Sequence, residues 1–400
     1  MAHDARDTAR QTADRSARRR CRLNHPRGET DAEAPHLTEL TGDYQCLHEF
    51  IPAARAKLDS NIWGYLIGAA ESETTLRRNR AALDAIALRP RVLRDVSKVD
   101  ATTSFLGMKL RLPVMLAPVG SLESFDPSGA ATAGRGATEF GVPIIVSSVT
   151  RPGLEETAKA VSGPKIFQLY VRGDDAWVDD VVRRAVDAGY NAFCITVDTA
   201  SYSRRERDIA ARFVKPWRTA ATGHNHQAAF SWDNVKHFKD RHRIPLILKG
   251  IATAEDAAIA CEHGVEVVYV SNHGGRQLDY GRGSMDVLPE VMDAVRGRAR
   301  VMIDGSFARG TDVVKAIALG ADAIAMGRLY CYALAAEGDV GVHRLLEILE
   351  QEVMVAMALS GARSLAELNR SFLHFGVPPV TAPHVHSAFP LLFRTPEAPT

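Results

Sequence analysis

Between residues 111 and 375 the chain alternates short, uninterrupted apolar runs with amphipathic segments of helical length. The runs are PVMLAP (113–118), VPIIVSS (142–148), KIFQLYV (165–171), AFCITVD (192–198), PLILKG (245–250), VVYVSN (267–272), ARVMIDG (299–305) and DAIAMG (322–327). A run without polar alternation belongs to a strand covered on both faces, the condition of a parallel sheet flanked by helices. The segments between carry helix punctuation: Thr253 through His263 before Gly264, Thr311 through Leu319 before Gly320, and Asp175 through Ala188 before Gly189. Eight strand–helix units over roughly 250 residues predict an α/β fold, a closed (β/α)8 TIM barrel, in preference to an open doubly wound sheet. No GxGxxG follows the first run, as a dinucleotide-binding sheet would require.

Upstream, apolar positions recur at helical spacing: Leu47, Phe50, Ile51 and Ala54, then Ile62, Trp63, Tyr65, Leu66 and Ile67, then Leu76, Leu83 and Ile86 before Arg89-Pro90. They predict a helical lead-in over 39–110 that caps the barrel (111–375), the two forming one domain over 39–375. Residues 1–38 hold Arg6, Arg10, Arg15, Arg18, Arg19, Arg20, Arg22 and Arg27 with few large apolar side chains, which predicts a disordered Arg-rich extension. No apolar stretch follows Arg18-Arg19-Arg20, so an export signal is not expected. Residues 376–400 read as a dispensable Pro-rich C-terminal tail.

Charge and cysteine usage narrow the function classes. The 400 residues carry Lys+Arg 49 against Asp+Glu 48, a formal net charge of +1, without the basic excess that nucleic acid or an acidic membrane surface calls for. No run of about 18 apolar residues offers a membrane span. The five cysteines form no CxxC pair, which argues against a disulfide framework or a cysteine zinc site and fits a reducing, cytoplasmic location. No metal site is predicted, and His224 and His226 read as part of a solvated loop.

A barrel of this kind places its chemistry at the C-terminal ends of its strands, and the polar residues collect there. Gln168 and Tyr170 end the third run, Thr196 and Asp198 the fourth, Lys249 the fifth, Ser271, Asn272 and His273 the sixth, Asp304 the seventh, and Gly327-Arg328 the eighth. A single lysine at a strand end is ordinarily a solvated terminus, and a lone histidine a core or surface residue; it is their joint occupation of the tips that points to a site. In SNHGGRQLD (271–279) two glycines between His273 and Arg276 let the backbone turn tightly while both side chains enter one pocket. A histidine paired with a carboxylate is a competent general base near neutral pH, and Asp198 is the partner if the fourth and sixth strands face the same pocket. Arg205 and Arg276 are planar forks suited to gripping two carboxylate oxygens, which predicts a carboxylate substrate. Asp304-Gly305-Ser306 and Gly327-Arg328 offer small residues, backbone N–H groups and a guanidinium at the two loops where barrels commonly bind phosphate. Lys249 would then face the middle of a flat cofactor.

SNHGGRQLD, together with FQLYV (167–171), TVDTASYSRRERD (196–208), LILKGI (246–251), RGTDVVKAIALGADAIAMGR (309–328) and AMALSGARSLAEL (356–368), resembles the FMN-dependent α-hydroxy acid oxidase and dehydrogenase family, over residues of about 44 to 370. Glycolate oxidase, lactate oxidase and mandelate dehydrogenase belong to it. The resemblance implies FMN as cofactor and oxidation of an L-2-hydroxy acid, the (S) form, to the 2-oxo acid, with the flavin reoxidised by oxygen or another acceptor. It implies that His273 is the base, supported by Asp198; that Arg205 and Arg276 bind the substrate carboxylate; and that Tyr65 and Tyr170 supply hydroxyls. It implies that Lys249 stands beside the flavin, that Ser147, Gln168, Thr196 and Ser271 and the backbone of Ala117, Pro118 and Val119 contact its ring, and that Asp304 meets the ribityl chain. Gly305, Ser306, Arg309, Gly327 and Arg328 form the implied phosphate region. The family also implies a homotetramer, with no nucleic-acid or membrane partner.

Three positions depart from the family pattern. Ala308 stands where members carry a phosphate-binding arginine, which leaves Arg328 and backbone N–H groups and implies weaker FMN binding unless Arg309 compensates. Gly120 stands where simple oxidases have alanine. Val149 replaces a bulky aromatic, which implies a roomier pocket and a larger or aromatic acid. Two further readings stay open at this point: an FMN-dependent isomerase acting on a diphosphate, and a non-catalytic binding member with an impaired FMN site. The intact His273, Asp198, Arg205, Arg276 and Lys249 argue against both.

Overall fold

The structure is a computed structural model that describes residues 44–215, 223–379 and 381–393. The Arg-rich segment 1–38 lies outside the described residues. Three helices lead in: α1 (Phe50–Lys57), α2 (Ser60–Ile67) and α3 (Thr74–Asp84). The Asp59 carboxylate caps α2 by accepting from the N–H groups of Asn61 and Ile62.

The lead-in is not wholly helical, which corrects the expectation for 39–110. Ile86, expected on a helix, begins a strand, β1 (Ile86–Leu88), that pairs antiparallel with Leu373–Phe375. Thr103–Phe105 (β2) and Met108–Leu110 (β3) form a hairpin directly before the first barrel strand. Strands of three residues are too short to show a period, so the spacing of apolar residues could not reveal them. The hairpin adds Phe105, Met108 and Leu110 to the cluster inside the barrel, closing its N-terminal mouth.

Eight parallel strands form the barrel: β4 (Val114–Leu116), β5 (Ile144–Ser147), β6 (Lys165–Leu169), β7 (Ala192–Thr196), β8 (Leu246–Ile251), β9 (Val267–Val270), β10 (Arg300–Ile303) and β11 (Ala323–Met326). Each lies within one of the eight apolar runs, except that β8 extends one residue past its run to Ile251. Neighbours in sequence are neighbours in the sheet, and β11 closes on β4 with Ile324 opposite Val114 and Met326 opposite Leu116. The burial pattern explains the missing alternation. Met115, Ile145, Ile247 and Met302 point into the barrel, while Val114, Leu116, Ile144 and Leu248 pack outward under the helices. Both faces are dry, so both are apolar.

The helices begin where their caps predict. Thr253 Oγ1 accepts from the Asp256 N–H before Ala254–Glu262, and Asp174 accepts from the Trp177 N–H before Asp175–Asp187. The C-terminal tail, in contrast, is not a dispensable appendage. Phe389 is 1% exposed within the main core, its ring edge-on to that of His48, and Tyr332 Oη lies 3.0 Å from His386 Nε2. Single apolar residues among prolines carry no period, so nothing in the sequence marks this docking. Among the described residues no helix is long and apolar enough to cross a membrane.

Candidate active site

A cavity of about 490 Å³ opens at the C-terminal ends of the strands, within the ~300–1,000 Å³ typical of small-molecule and cofactor sites. Ala117, Pro118 and Val119 line it after β4, Tyr170 after β6, Lys249 on β8, His273 after β9, Asp304 through Ala308 after β10, and Gly327 and Arg328 after β11, with Tyr65 reaching in from α2. Ser147, Gln168, Thr196 and Ser271 are buried at the strand tips beside them. Seven of the eight runs thus deliver polar ends to one place, and the first contributes the apolar Ala117–Val119 wall.

His273 sits at φ +61, a left-handed conformation uncommon for a residue other than glycine. The turn aims its ring between two partners. Nδ1 lies 3.0 Å from Asp198 Oδ1, and Nε2 lies 3.1 Å from Tyr170 Oη. A carboxylate only accepts, so Nδ1 carries the hydrogen and Nε2 is the basic lone pair, which receives the Tyr170 hydroxyl. Gly250 allows Asp198 to come this close. It adopts φ +117, and a Cβ there would lie 2.7 Å from Asp198 Cβ. Burial, reinforced by Lys249 and Arg205, holds the His273 imidazole below its ordinary value despite Asp198, so the ring is neutral near pH 7. Burial pushes Asp198 the other way, but His273 and Lys249 outweigh it and keep the carboxyl ionised.

Lys249 is 2% exposed and donates to Ser271 Oγ at 2.9 Å, with Asp304 3.5 Å away. Ser271 in turn donates to Asp304 Oδ1 at 2.8 Å and accepts the His273 N–H at 3.0 Å. Burial would drive the Lys249 ammonium to neutrality, but Asp304 and Asp198 hold it above its ordinary value. The result is a fixed positive charge at the centre of the strand tips.

Arg276 donates to the carbonyls of Tyr65 and Gly68 at 2.8 and 2.6 Å, and its guanidinium carbon lies 4.7 Å from the Tyr65 ring centroid. Burial and the neighbouring Arg205 pull it down to about 10, which leaves it charged near neutral pH. Arg205 stacks at 4.7 Å on Tyr202. The Tyr65 hydroxyl donates to the Gly120 carbonyl at 2.9 Å. Both guanidiniums line the cavity that holds His273.

The expected phosphate region is only partly assembled. Arg328 lines the cavity but donates to the carbonyls of Leu66, Gly68 and Gly274. Arg309 does not compensate for Ala308, a correction to the sequence reading: it caps the helix Gly310–Ala318 from outside the cavity and pairs with Glu352 at 2.7 Å. The β10 loop is fastened instead by a pair the sequence did not reveal. Arg80 and Asp312, 5% and 1% exposed, meet in a two-pronged bridge at 2.8 Å on each arm. Asp312 also accepts the Ala308 and Arg309 N–H groups, and Arg80 donates to the Ser306 carbonyl.

Other contributors escaped the sequence reading too. The stretch around His224 and His226 is a short helix, His224–Ala229, rather than a loop. Its buried Gln227 accepts the Val171 N–H at 2.7 Å and donates to the Thr196 carbonyl at 3.0 Å, tying the β6 and β7 ends together. Gln277 donates to the carbonyls of Asp198 and Ser201. Neither glutamine, of six in the chain, is given a role by its residue type, although Gln277 lies within SNHGGRQLD; the fold supplies the role. Among the described residues, no group of three or more metal-ligating side chains could hold a metal ion.

Gly120 and Val149 are matched. A Cβ at Gly120 would lie 2.9 Å from Val149 Cγ2, and a β-branched side chain has little freedom to yield. Gly120→Ala is therefore expected to cost about 1–3 kcal/mol, read as a lowered melting temperature and restored by adding Val149→Ala. A single variant that melts like the wild type would refute the contact.

Comparison with known proteins agrees with this geometry. Residues 54–375 match the model of the FMN-dependent dehydrogenase family. Glycolate oxidase of Spinacia oleracea is 39% identical over 349 residues, covering 82% of this chain and 95% of the relative. L-lactate oxidase of Nostoc sp. is 38% identical over 355 residues, covering 82% and 97%. The crystal structure of mandelate oxidase with (S)-2-phenylpropionate superposes with a TM-score of 0.77 at 38% identity, covering 84% of this chain and 99% of that one. The alternation of apolar runs, the polar strand tips and these matches lead to one statement: the chain belongs to the FMN-dependent α-hydroxy acid oxidase and dehydrogenase family.

Proposed function

We propose that this protein oxidises an L-2-hydroxy acid to the 2-oxo acid, with bound FMN as the immediate electron acceptor and oxygen as the final one. The observation that carries the reading is the basic Nε2 of His273, backed by Asp198, in the same cavity as Arg205 and Arg276. A base beside two carboxylate forks is what removal of a proton from a hydroxy acid requires. The oxidase names of the relatives support oxygen.

The residues fit FMN. Gln168 Oε1 is buried and has no hydrogen-bond partner among the described residues, an acceptor suited to an N–H of the flavin ring. Its amide donates to Thr196 Oγ1 at 2.8 Å, so the oxygen is held in one orientation. With these two, Lys249, Ser147, Ser271 and the Ala117–Val119 backbone would hold the ring, Asp304 the ribityl chain, and Gly305, Ser306, Gly327 and Arg328 the phosphate end. FMN supplies a two-electron acceptor that no amino-acid side chain provides.

The chain's own residues do the rest. Arg205 and Arg276 hold the substrate carboxylate, each charge-assisted contact contributing about 1.5–3 kcal/mol. Tyr65 and Tyr170 orient the carboxylate and hydroxyl ends. His273 Nε2 receives the proton the acid must lose, and Asp198 stabilises the imidazolium that forms. Lys249 places a fixed positive charge where electrons arrive. Val149 and Phe125 line the cavity and support an acid larger than glycolate.

The test is anaerobic titration of the FMN-loaded protein with glycolate, L-lactate and (S)-mandelate, followed by oxygen. The flavin absorbance is expected to bleach, faster with lactate or mandelate than with glycolate, and to return with oxygen. No bleaching by any of the three sinks the proposed activity; fastest bleaching by glycolate overturns the size argument.

A further inference from the structure

Lys215 has no part in the chemistry described so far, yet its side chain is only 3% exposed. Its Nζ pairs with Asp208 Oδ2 at 3.2 Å and lies 3.4 Å from Tyr202 Oη. The same nitrogen stands 3.5 Å from the Tyr65 ring centroid. These two tyrosines support the carboxylate clamp, since Arg276 rests on Tyr65 and Arg205 on Tyr202. One lysine therefore stands behind both arginine–tyrosine pairs. It does not itself line the cavity, so it acts through them.

Three cationic groups held this close, and partly stripped of water, oppose one another's charge. An arriving carboxylate, gripped by two of them, relieves that opposition for the third. We propose that Lys215 is a positioning residue whose amine is proton-free in the unliganded site and takes up a proton when the substrate carboxylate binds. The inference rests on the reading of the cavity as a 2-hydroxy acid site. Burial, Arg205 and Arg276 together pull the Lys215 ammonium down to about 6, against the opposing pull of Asp208. Among the described residues, the groups facing the amine are Asp208, Arg205 and Arg276, with the ring of Tyr65 and the hydroxyl of Tyr202.

The sign follows from linkage. Above about pH 6 the free site lacks the proton, whereas the complex, with one more negative charge nearby, keeps it to higher pH. Binding then consumes a proton, so affinity for the acid falls as pH rises above about 6, by up to about tenfold per pH unit for one coupled proton. The limiting rate of flavin reduction, which belongs to His273, is not moved.

The experiment is stopped-flow reduction of the FMN-loaded protein by its fastest 2-hydroxy acid, across a pH series, in the wild type, Lys215→Met and the charge-matched Lys215→Met/Asp208→Asn. Proton uptake on binding is measured alongside, by calorimetry in buffers of different ionisation enthalpy. The wild-type Kd is expected to rise on the order of tenfold between about pH 6.5 and about pH 8. Both variants lose that rise and the matching proton uptake, while the limiting rate stays within about twofold. Lys215→Arg, a permanent cation, loses the uptake but keeps tight binding, and serves if the methionine variants do not fold. Contributions of His273 are common to all four proteins and cancel in the comparison. An equal Kd slope and equal uptake in wild type and variants overturn the inference, as does a fall in limiting rate at unchanged Kd. Failure of every acid to reduce the wild-type flavin instead sinks the reading of the cavity, before any variant is compared.

Discussion

His273→Ala is expected to slow reduction of the bound flavin by a 2-hydroxy acid by about 10²–10⁴-fold, the range a positioned general base supplies, while FMN stays bound. Nε2 is the lone pair in the cavity held by Asp198 on one side and Tyr170 on the other, and removal of the ring leaves the two arginines to bind an acid that nothing deprotonates. The backbone needs its own control. At φ +61 an alanine is strained, whereas asparagine tolerates this conformation. His273→Asn therefore separates the loss of the base from any relaxation of the turn, and both variants should be slow. Anaerobic stopped-flow reduction reads the effect directly, and the flavin spectrum reports occupancy. A normal rate in His273→Asn would remove His273 from its role.

Arg80→Met is expected to destabilise the fold by about 3–5 kcal/mol, the usual cost of leaving one partner of a buried ion pair uncompensated. Asp312, 1% exposed, would keep only the Ala308 and Arg309 N–H groups as donors. The same change releases the Ser306 carbonyl, so the β10 loop loosens and FMN affinity falls with it. Burial would raise the Asp312 carboxyl, yet Arg80 holds it below its ordinary value. The contribution of the pair is thus complete above the ordinary carboxylate range and is lost as pH falls through the depressed value of Asp312. Urea unfolding at neutral pH measures the cost, and a variant within about 1 kcal/mol of the wild type would show that the bridge is not what fastens the loop. Thermal melts across acid pH should show the difference between the two proteins shrinking.

What the sequence discloses and what it withholds divide along a physical line. Barrel strands are legible because burial on both faces removes the polar alternation, and a strand tip such as Thr196 followed by Asp198 shows where the dry interior ends. The polar tips converge because a closed barrel leaves them nowhere else to go. Arg80 and Asp312 lie far apart in the chain, each on a helix that reads as ordinary, so neither advertises the other. Arg309 misleads for the same reason: its neighbour Ala308 suggests a substitute, but Glu352, from a distant helix, claims the guanidinium first. Lys215 follows an apolar pair in a stretch that predicts nothing, and only the packing of Tyr65 and Tyr202 gives it meaning.

The tail contact at Phe389 also has a kinetic side. Tyr65, near one end of the described chain, and Val385 and Phe389, near the other, are walls of the same cavity. Apart from the closing β11–β4 pair, the barrel strands pair with the next in sequence and close short loops, whereas the cavity is completed by some of the longest loop closures among the described residues. Such contacts form late and open first. Amide hydrogens around Phe389 and α2 are therefore expected to exchange through local opening at a free energy well below that of global unfolding. The pocket then loosens, and can release its cofactor, in a molecule whose barrel is still intact.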